Sequence, residues 1–175
     1  MSKWNIDPDH SVGSFSISHM TVAFVRGQMN GVSGTIDYIP GDYSSLAVDF
    51  KIDVGSIMTG IKKRDEHLKS EDFFNIKEYP AIHYKSRASE RAGFNSVTIS
   101  GDITIHGVKK AVTTDVYLSG PVKSPFGETT IGITGRFVLN REDFGINWNQ
   151  PMEDSSFMVG KTVNISFDLE GDLVE

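Results

Sequence analysis

The alternation of apolar and polar residues along several short segments is the feature that most constrains the fold of this chain. In segment 46–54, every second residue is apolar and mostly polar residues lie between them. A period of two is typical of a β-strand with one buried face. The same pattern recurs in segments 97–105, 112–118, 131–139 and 163–169, and more weakly in 15–19, 32–38 and 82–86.

Turn-forming residues separate these segments. Combinations of Pro, Gly, Asp and His predict loops or hairpin ends at 40–42, 92–93, 106–107, 120–121 and 125–127. About eight strands at this spacing predict an all-β sandwich or a closed barrel. The chain has 175 residues and neither a linker nor an internal repeat, so we expect a single domain over 1–175.

One segment breaks the alternation. Residues 61–70 are mostly charged, contain neither Gly nor Pro, and are rich in residues that favour helices. They predict a short helix of two to three turns. A second turn with two aromatic residues, Phe73 and Phe74, follows it. We expect the helix and this turn to close one end of the barrel.

The composition argues against several classes of function. The net charge is -6, from 17 basic and 23 acidic residues, so a nucleic-acid partner is not expected. The chain has no cysteine, which excludes thiol catalysis and cysteine-ligated metal sites. Its five histidines lack the spacing of a metal site. The sequence also has no nucleophile elbow, phosphate loop or dinucleotide motif, so we predict neither a bound metal nor an enzyme.

The sequence also bears on location. No window approaches the roughly 20 apolar residues that a membrane-spanning helix needs, so we expect a protein that does not cross the membrane. The first eight residues contain no apolar stretch of the kind found in signal peptides. We therefore expect a cytoplasmic protein from the sequence as it stands, or a periplasmic one if a leader has been removed.

A series of short motifs, in order along most of the chain, carries a family resemblance. They are WNIDPDHS at 4–11, VGSFSISH at 12–19, SIMTG at 56–60, KRDEHL at 63–68, SEDFF at 70–74, YP at 79–80, GDITIHGV at 101–108 and NREDFG at 140–145. With them the chain resembles the YceI family of polyisoprenoid-binding, lipocalin-like bacterial proteins. The resemblance implies an extended eight-stranded antiparallel β-barrel that holds a long isoprenoid lipid, such as a polyprenyl pyrophosphate or a quinone-type tail.

The resemblance also implies a role in transport or in a stress response, and it makes a homodimer plausible. With it, the apolar residues of the inward strand faces and of the loops become candidates for contact with the lipid tail. They are Phe15, Ile17, Phe24, Met29, Phe50, Ile52, Met58, Phe73, Phe74, Ile103, Ile105, Val116, Ile133, Phe137, Trp148, Phe157, Ile165 and Phe167. The lipid would be a ligand, and no cofactor is expected.

An anionic headgroup would need donors near the mouth of the barrel. The candidates are His19, Arg26, Arg64 and His67, since the fork of an arginine suits phosphate. A structural role is the alternative: Arg64 would pair with Asp65 or Asp72, and Arg141 with Asp143, to hold loops against the barrel.

Two other functions remain open at this point. In the first, the barrel is packed solid and acts as an interaction scaffold in a stress response. In the second, the protein is an enzyme that modifies an isoprenoid. Alternation by itself does not distinguish a filled interior from a hollow one.

Overall fold

The computed structural model describes residues 2–174 and folds them into an antiparallel sheet that closes into a barrel. Its strands are β1 Lys3–Ile6, β2 Val12–His19, β3 Ala23–Met29, β4 Val32–Ile39, β5 Asp42–Asp53, β6 Ala81–Gly93, β7 Ser96–Ile105, β8 Val108–Lys123, β9 Thr129–Asn140 and β10 Val159–Leu173. A helix, α1, spans Lys62–Lys69, and 3-10 turns span Val54–Ser56 and Arg141–Phe144.

Ten strands fill eight positions around this barrel. Strands β4 to β10 follow in order, and β1 closes the ring by pairing with both β4 and β10. Strand β2 pairs with an earlier part of β10, residues 159–168, whereas β1 pairs with residues 171–173. Strand β3 pairs with β2. Strands β1 and β2 therefore share one position in the ring, and β3 and β4 share the next. The sequence predicts about eight strands because β1 is too short, and β3 too irregular, to show alternation.

The register confirms the inward faces that the alternation predicts. Ile165 of β10 lies between Phe15 of β2 and Phe137 of β9, and all three side chains point into the barrel. The outward neighbours Ser14, Ser16, Asn164 and Ser166 are polar. One predicted turn is wrong: Gly120-Pro121 lies within β8, at an irregularity in its pairing with β9. The chain turns at 124–128, where Ser124 N donates to Glu128 O, which confirms the turn predicted at 125–127.

The interior divides into two regions along the barrel axis. We call the region that contains β1 the packed half. Here Trp4, Ile36 and Ile131 are at most 1% exposed, and the indole Nε1 of Trp4 donates to the carbonyl of Tyr38 at 3.1 Å. Side chains from strands far apart in sequence meet here, so burial of apolar surface stabilises the closure of the ring.

We call the opposite region the hollow half. Strand β3 ends the sheet here, and beyond β2 its backbone forms an isolated bridge between Gln28 and Met58. Helix α1 and the turn 70–74 complete the wall, which confirms the predicted helical cap. Backbone hydrogen bonds from Ser70 N to His67 O and from Phe74 N to Leu68 O hold the turn against the helix.

Candidate binding cavity

The hollow half contains a cavity of about 300 Å³ whose wall is almost entirely apolar. Strands β2, β9 and β10 form one side, β5 to β7 another, and α1 with the turn 70–74 a third. The residues on the wall that the sequence analysis names for the lipid tail are Phe15, Ile17, Met29, Phe50, Ile52, Phe73, Phe74, Ile103, Ile105, Phe137, Trp148, Ile165 and Phe167. A volume near 300 Å³ lies at the small end of the range for ligand pockets.

Inward-pointing side chains around this cavity are less buried than those of the packed half. Phe15, Phe137, Ile165 and Phe167 are all only partly buried, although none of them lies on the outer face. All four line the cavity. Apolar surface left exposed inside a barrel is costly in water, and an apolar ligand would cover it.

Two predicted tail residues, Val116 and Ile133, lie away from the main cavity. They line a smaller void of about 30 Å³, deeper in the barrel. Tyr84 lines the same void, and burial raises the pKa of its hydroxyl to about 12. Within the described part of the chain, this hydroxyl is buried without a hydrogen-bond partner.

Three predicted tail residues are outside both spaces. Phe24, Met58 and Phe157 are 54%, 49% and 52% exposed. Phe24 pairs across the sheet with Ser18, and Met58 bridges to the edge of β3. Their side chains lie on the surface around the hollow half, so the structure does not bring them to the tail site. The sequence analysis included them because residues in a predicted loop show no alternation that would distinguish an inward side chain from an outward one.

The polar residues predicted for the headgroup divide in the same way. His19, Arg64 and His67 line the cavity, whereas Arg26 lies on the outer face, with its guanidinium 5.7 Å from the centre of the Phe24 ring. Arg26 projects outward because its register partner, Ser16, is an outward residue of β2. The structure therefore does not place Arg26 with the other three.

Arg64 and His67 are held by neighbouring protein groups. Arg64 donates from Nε to Thr59 Oγ1 at 2.7 Å and from Nη2 to the Thr59 carbonyl at 2.9 Å. Asp65 accepts from the backbone N and hydroxyl of the same threonine. The alternative pairing of Arg64 with Asp65 or Asp72 is therefore wrong. Arg64 and Asp65, at the start of α1, both form hydrogen bonds with Thr59 instead.

His67 is the polar member of an aromatic cluster on the cavity wall. Its Nε2 lies 2.7 Å from a carboxylate oxygen of Asp72. Its ring packs in a T-shaped arrangement against the rings of Trp148 and Phe73, with centroid-to-centroid distances of 4.7 Å and 5.0 Å. The contacts fix α1 and Trp148 relative to each other, so this end of the cavity has a defined shape.

Arg141 is a wall residue that the sequence analysis did not assign to the site. It is 5% exposed and donates to the carbonyls of Gly160 and Ile146 at 2.8 Å and 2.7 Å. Burial lowers the pKa of its guanidinium. The side chain ties the 3-10 turn after β9 to the start of β10, as the structural alternative requires. It does so through carbonyl oxygens, so the predicted pairing with Asp143 is wrong. A pattern of residue types gives no signal for such contacts.

Other wall residues were also missed, and some had a signal. Leu139 and Val163 continue the alternation of β9 and β10 by one step beyond Phe137 and Ile165. The alternation therefore predicts that both side chains point inward. Phe144 and Ile146 come from a 3-10 turn and a loop, where no periodicity identifies the inward side.

Asp7, His10 and Glu170 form a cluster on the outer surface where β1 leads into β2. One ligand-type atom from each lies within 4.8 Å of the others, so these residues could hold a metal ion. In the structure, His10 Nδ1 lies 2.7 Å from Asp7. This contact raises the pKa of His10 and lowers that of Asp7. The sequence analysis predicts no metal, and that stays a prediction.

A helix able to cross a lipid bilayer is not found between residues 2 and 174.

Comparison with known proteins confirms the family resemblance. A model of the YceI-like domain matches residues 4–171. UPF0312 protein SA2479 of Staphylococcus aureus strain N315 is 33% identical over 176 residues and covers 100% of both chains. The crystal structure of Burkholderia cenocepacia BcnA has a TM-score of 0.81 at 25% identity, over 94% of this chain and 98% of that one.

A third relative carries a description of its ligand. A polyisoprenoid-binding domain from Saccharophagus degradans, implicated in plant cell wall breakdown, has a TM-score of 0.75. It covers 98% of each chain at 17% identity, so it shows the shared fold.

Proposed function

This chain belongs to the YceI-like family, and we propose that it binds the apolar chain of a long isoprenoid lipid in the cavity of its hollow half. The observation that carries the proposal is the cavity of about 300 Å³ with an almost wholly apolar wall. The polyisoprenoid-binding description of the Saccharophagus degradans domain, which shares the fold, supports an isoprenoid over other apolar chains.

Burial of the chain supplies enough free energy for binding. Each methylene-sized group transferred from water contributes about 0.8 kcal/mol, so one five-carbon isoprene unit contributes roughly 4 kcal/mol before the costs of association. A few units are therefore sufficient without a polar contact. The partly exposed rings of Phe15, Phe137 and Phe167 provide the surface for this contact.

The headgroup, in this proposal, stays at the helix end near His19, Arg64 and His67. The Nε and Nη2 of Arg64 and the Nε2 of His67 already have protein partners, and the wall exposes almost no polar surface. This supports an apolar chain inside the cavity and a polar group at its rim. The same observations favour a binding protein over an enzyme that modifies the lipid.

The proposed role is that of a carrier. A solid interaction scaffold would need a filled interior, and the cavity argues against it. Transport, a part in a stress response and a homodimer stay predictions from the resemblance, and the compartment stays a prediction from the sequence.

Tryptophan fluorescence tests the proposal directly. Trp148 lies on the cavity wall, whereas Trp4 lies in the packed half. In a Trp4→Phe background, geranylgeraniol should change the emission of Trp148 saturably. Mass spectrometry of an organic extract of the purified protein should identify a co-purifying isoprenoid. The absence of both signals would contradict the proposal.

A matched pair of valines provides the control. Val163 points into the cavity, and Val138 lies on the outer face of the neighbouring strand, 59% exposed. We expect Val163→Asn to weaken geranylgeraniol binding by about tenfold, since an amide in an apolar wall is desolvated without a partner. Val138→Asn should leave the affinity unchanged. Equal effects of the two substitutions would place the ligand elsewhere.

A further inference from the structure

Three phenylalanines cross the barrel interior between the cavity and the smaller void. We call Phe50, Phe137 and Phe167 the phenylalanine layer. The ring of Phe167 lies 6.5 Å from that of Phe50 and 6.1 Å from that of Phe137, centroid to centroid. All three residues, together with Ile103, line both spaces. The layer is therefore the partition between a cavity of about 300 Å³ and a void of about 30 Å³.

The space beyond the layer ends at the packed half. Its wall includes Val48, Ile99, Val116 and Leu169, which are all buried. The hydroxyl of Tyr84 is there too, buried and, among residues 2–174, without a hydrogen-bond partner. A void of about 30 Å³ has the volume of about one water molecule, so it takes a five-carbon unit only together with space that the layer gives up when its rings move.

The rings of the layer have room to move on the cavity side. Phe137 and Phe167 are only partly buried. The Phe167 ring lies over Gly135, where an added Cβ atom would be 2.3 Å from the ring tip. The ring thus lies along the barrel wall only because residue 135 has no side chain. A larger residue there would push the ring toward the barrel axis.

We propose that the phenylalanine layer sets the chain length that the protein accepts, and that the void beyond it is a deep subsite for the last isoprene unit of longer chains. The inference rests on the proposed function. A chain that fits above the layer binds without moving it. A longer chain reaches the void only when the rings of Phe50 or Phe167 rotate away.

A series of prenols of increasing length tests this. With geraniol, farnesol, geranylgeraniol and longer prenols, the affinity of the wild-type protein should rise with each unit and then level off. Phe167→Ala opens the layer, so the chain length at which the affinity levels off should increase. The first prenol beyond the wild-type limit should bind about tenfold more tightly than it does to the wild type. Gly135→Ala should move the levelling to shorter chains.

Controls separate this inference from the proposed function. Leu46→Ala makes a hole in the packed half, away from both spaces, and should leave the length dependence unchanged. If the wild-type protein binds no prenol, the proposed function fails. If it binds them but Phe167→Ala and Gly135→Ala leave the levelling in place, or Leu46→Ala moves it equally, only the inference fails. Should Phe167→Ala not fold, the milder Phe50→Leu replaces it.

Discussion

At the end of the barrel closed by β1, the side chains of Trp4 and Ile36 are almost inaccessible to water. At the helix end, Phe15, Phe137 and Ile165 point inward but stay partly exposed. Several long strands run through both regions. Strand β9 passes through both, from the buried Ile131 to Phe137 on the cavity wall.

The difference comes from what closes each region. In the packed half, β1 joins β4 to β10 by continuous pairing, and Trp4 fills the interior. In the hollow half, β3 forms the edge of the sheet, and α1 with its following turn covers the gap. Side chains of α1 and of the turn 70–74, rather than a paired strand, line the cavity on this side. The fold thus separates a part that provides stability from a part that provides space.

The sharpest test of this comparison is a pair of leucines. Leu118 lies in the packed half at 4% exposure, and Leu139 lies on the cavity wall, partly exposed. We expect Leu118→Ala to lower the free energy of unfolding by about 3 kcal/mol, and Leu139→Ala by about 1 kcal/mol, because the second site is already open. Leu139→Ala should weaken prenol binding and Leu118→Ala should not.

Urea denaturation gives both free energies, and titration of the folded variants gives the affinities. Equal losses of stability would show that the two halves are packed alike, against the comparison drawn from the structure.

A second test concerns how the hollow half is held together without a filled core. Arg141→Gln removes a buried guanidinium that bonds the carbonyls of Ile146 and Gly160. Loss of these bonds should lower the free energy of unfolding by about 2 kcal/mol. Amide hydrogen exchange should increase in 141–160 while β1 stays protected. Uniform loss of protection would mean that the two halves do not differ in local stability.

The smallest expected effect lies at the junction of the two halves. Asp7 raises the pKa of His10, so the folded state binds its proton more tightly than the unfolded state does. The contribution of this pair is therefore present below about pH 6.5, the ordinary pKa of histidine, and is lost as the pH rises through the folded value. The melting temperature should fall slightly between about pH 6 and pH 8.5.

His10→Gln is the control for that pH effect, since glutamine does not titrate. The slope of melting temperature against pH should become flatter in this variant. An unchanged slope would assign the pH dependence to other groups.

Much of the fold was predictable, and the reasons are local. Segment 97–105 predicts β7, and its odd-numbered residues are buried as the alternation requires. Residues 61–70 predict α1 at Lys62–Lys69. Strands β1 and β3 were missed because pairing with neighbours, rather than local pattern, makes them strands.

The site was predictable only in part. Phe15, Ile165 and Phe167 follow from their strands, and they line the cavity. Phe24 and Phe157 are equally apolar in sequence but lie on the surface. Arg141 is held on the wall by hydrogen bonds to the carbonyls of Gly160, 19 residues away, and of Ile146, in the loop after the 3-10 turn. Neither bond follows from a periodic pattern in the sequence.

The sequence by itself determined that the chain forms β-strands, which face of each alternating strand points inward, and where a helix interrupts them. These properties depend on neighbours one to four residues away. Whether the inside is solid or hollow was decided only by the tertiary structure. The same alternation in β9 leads to a filled interior at Ile131 and to a cavity at Phe137. Volume depends on side chains that meet across the barrel from strands far apart in the sequence.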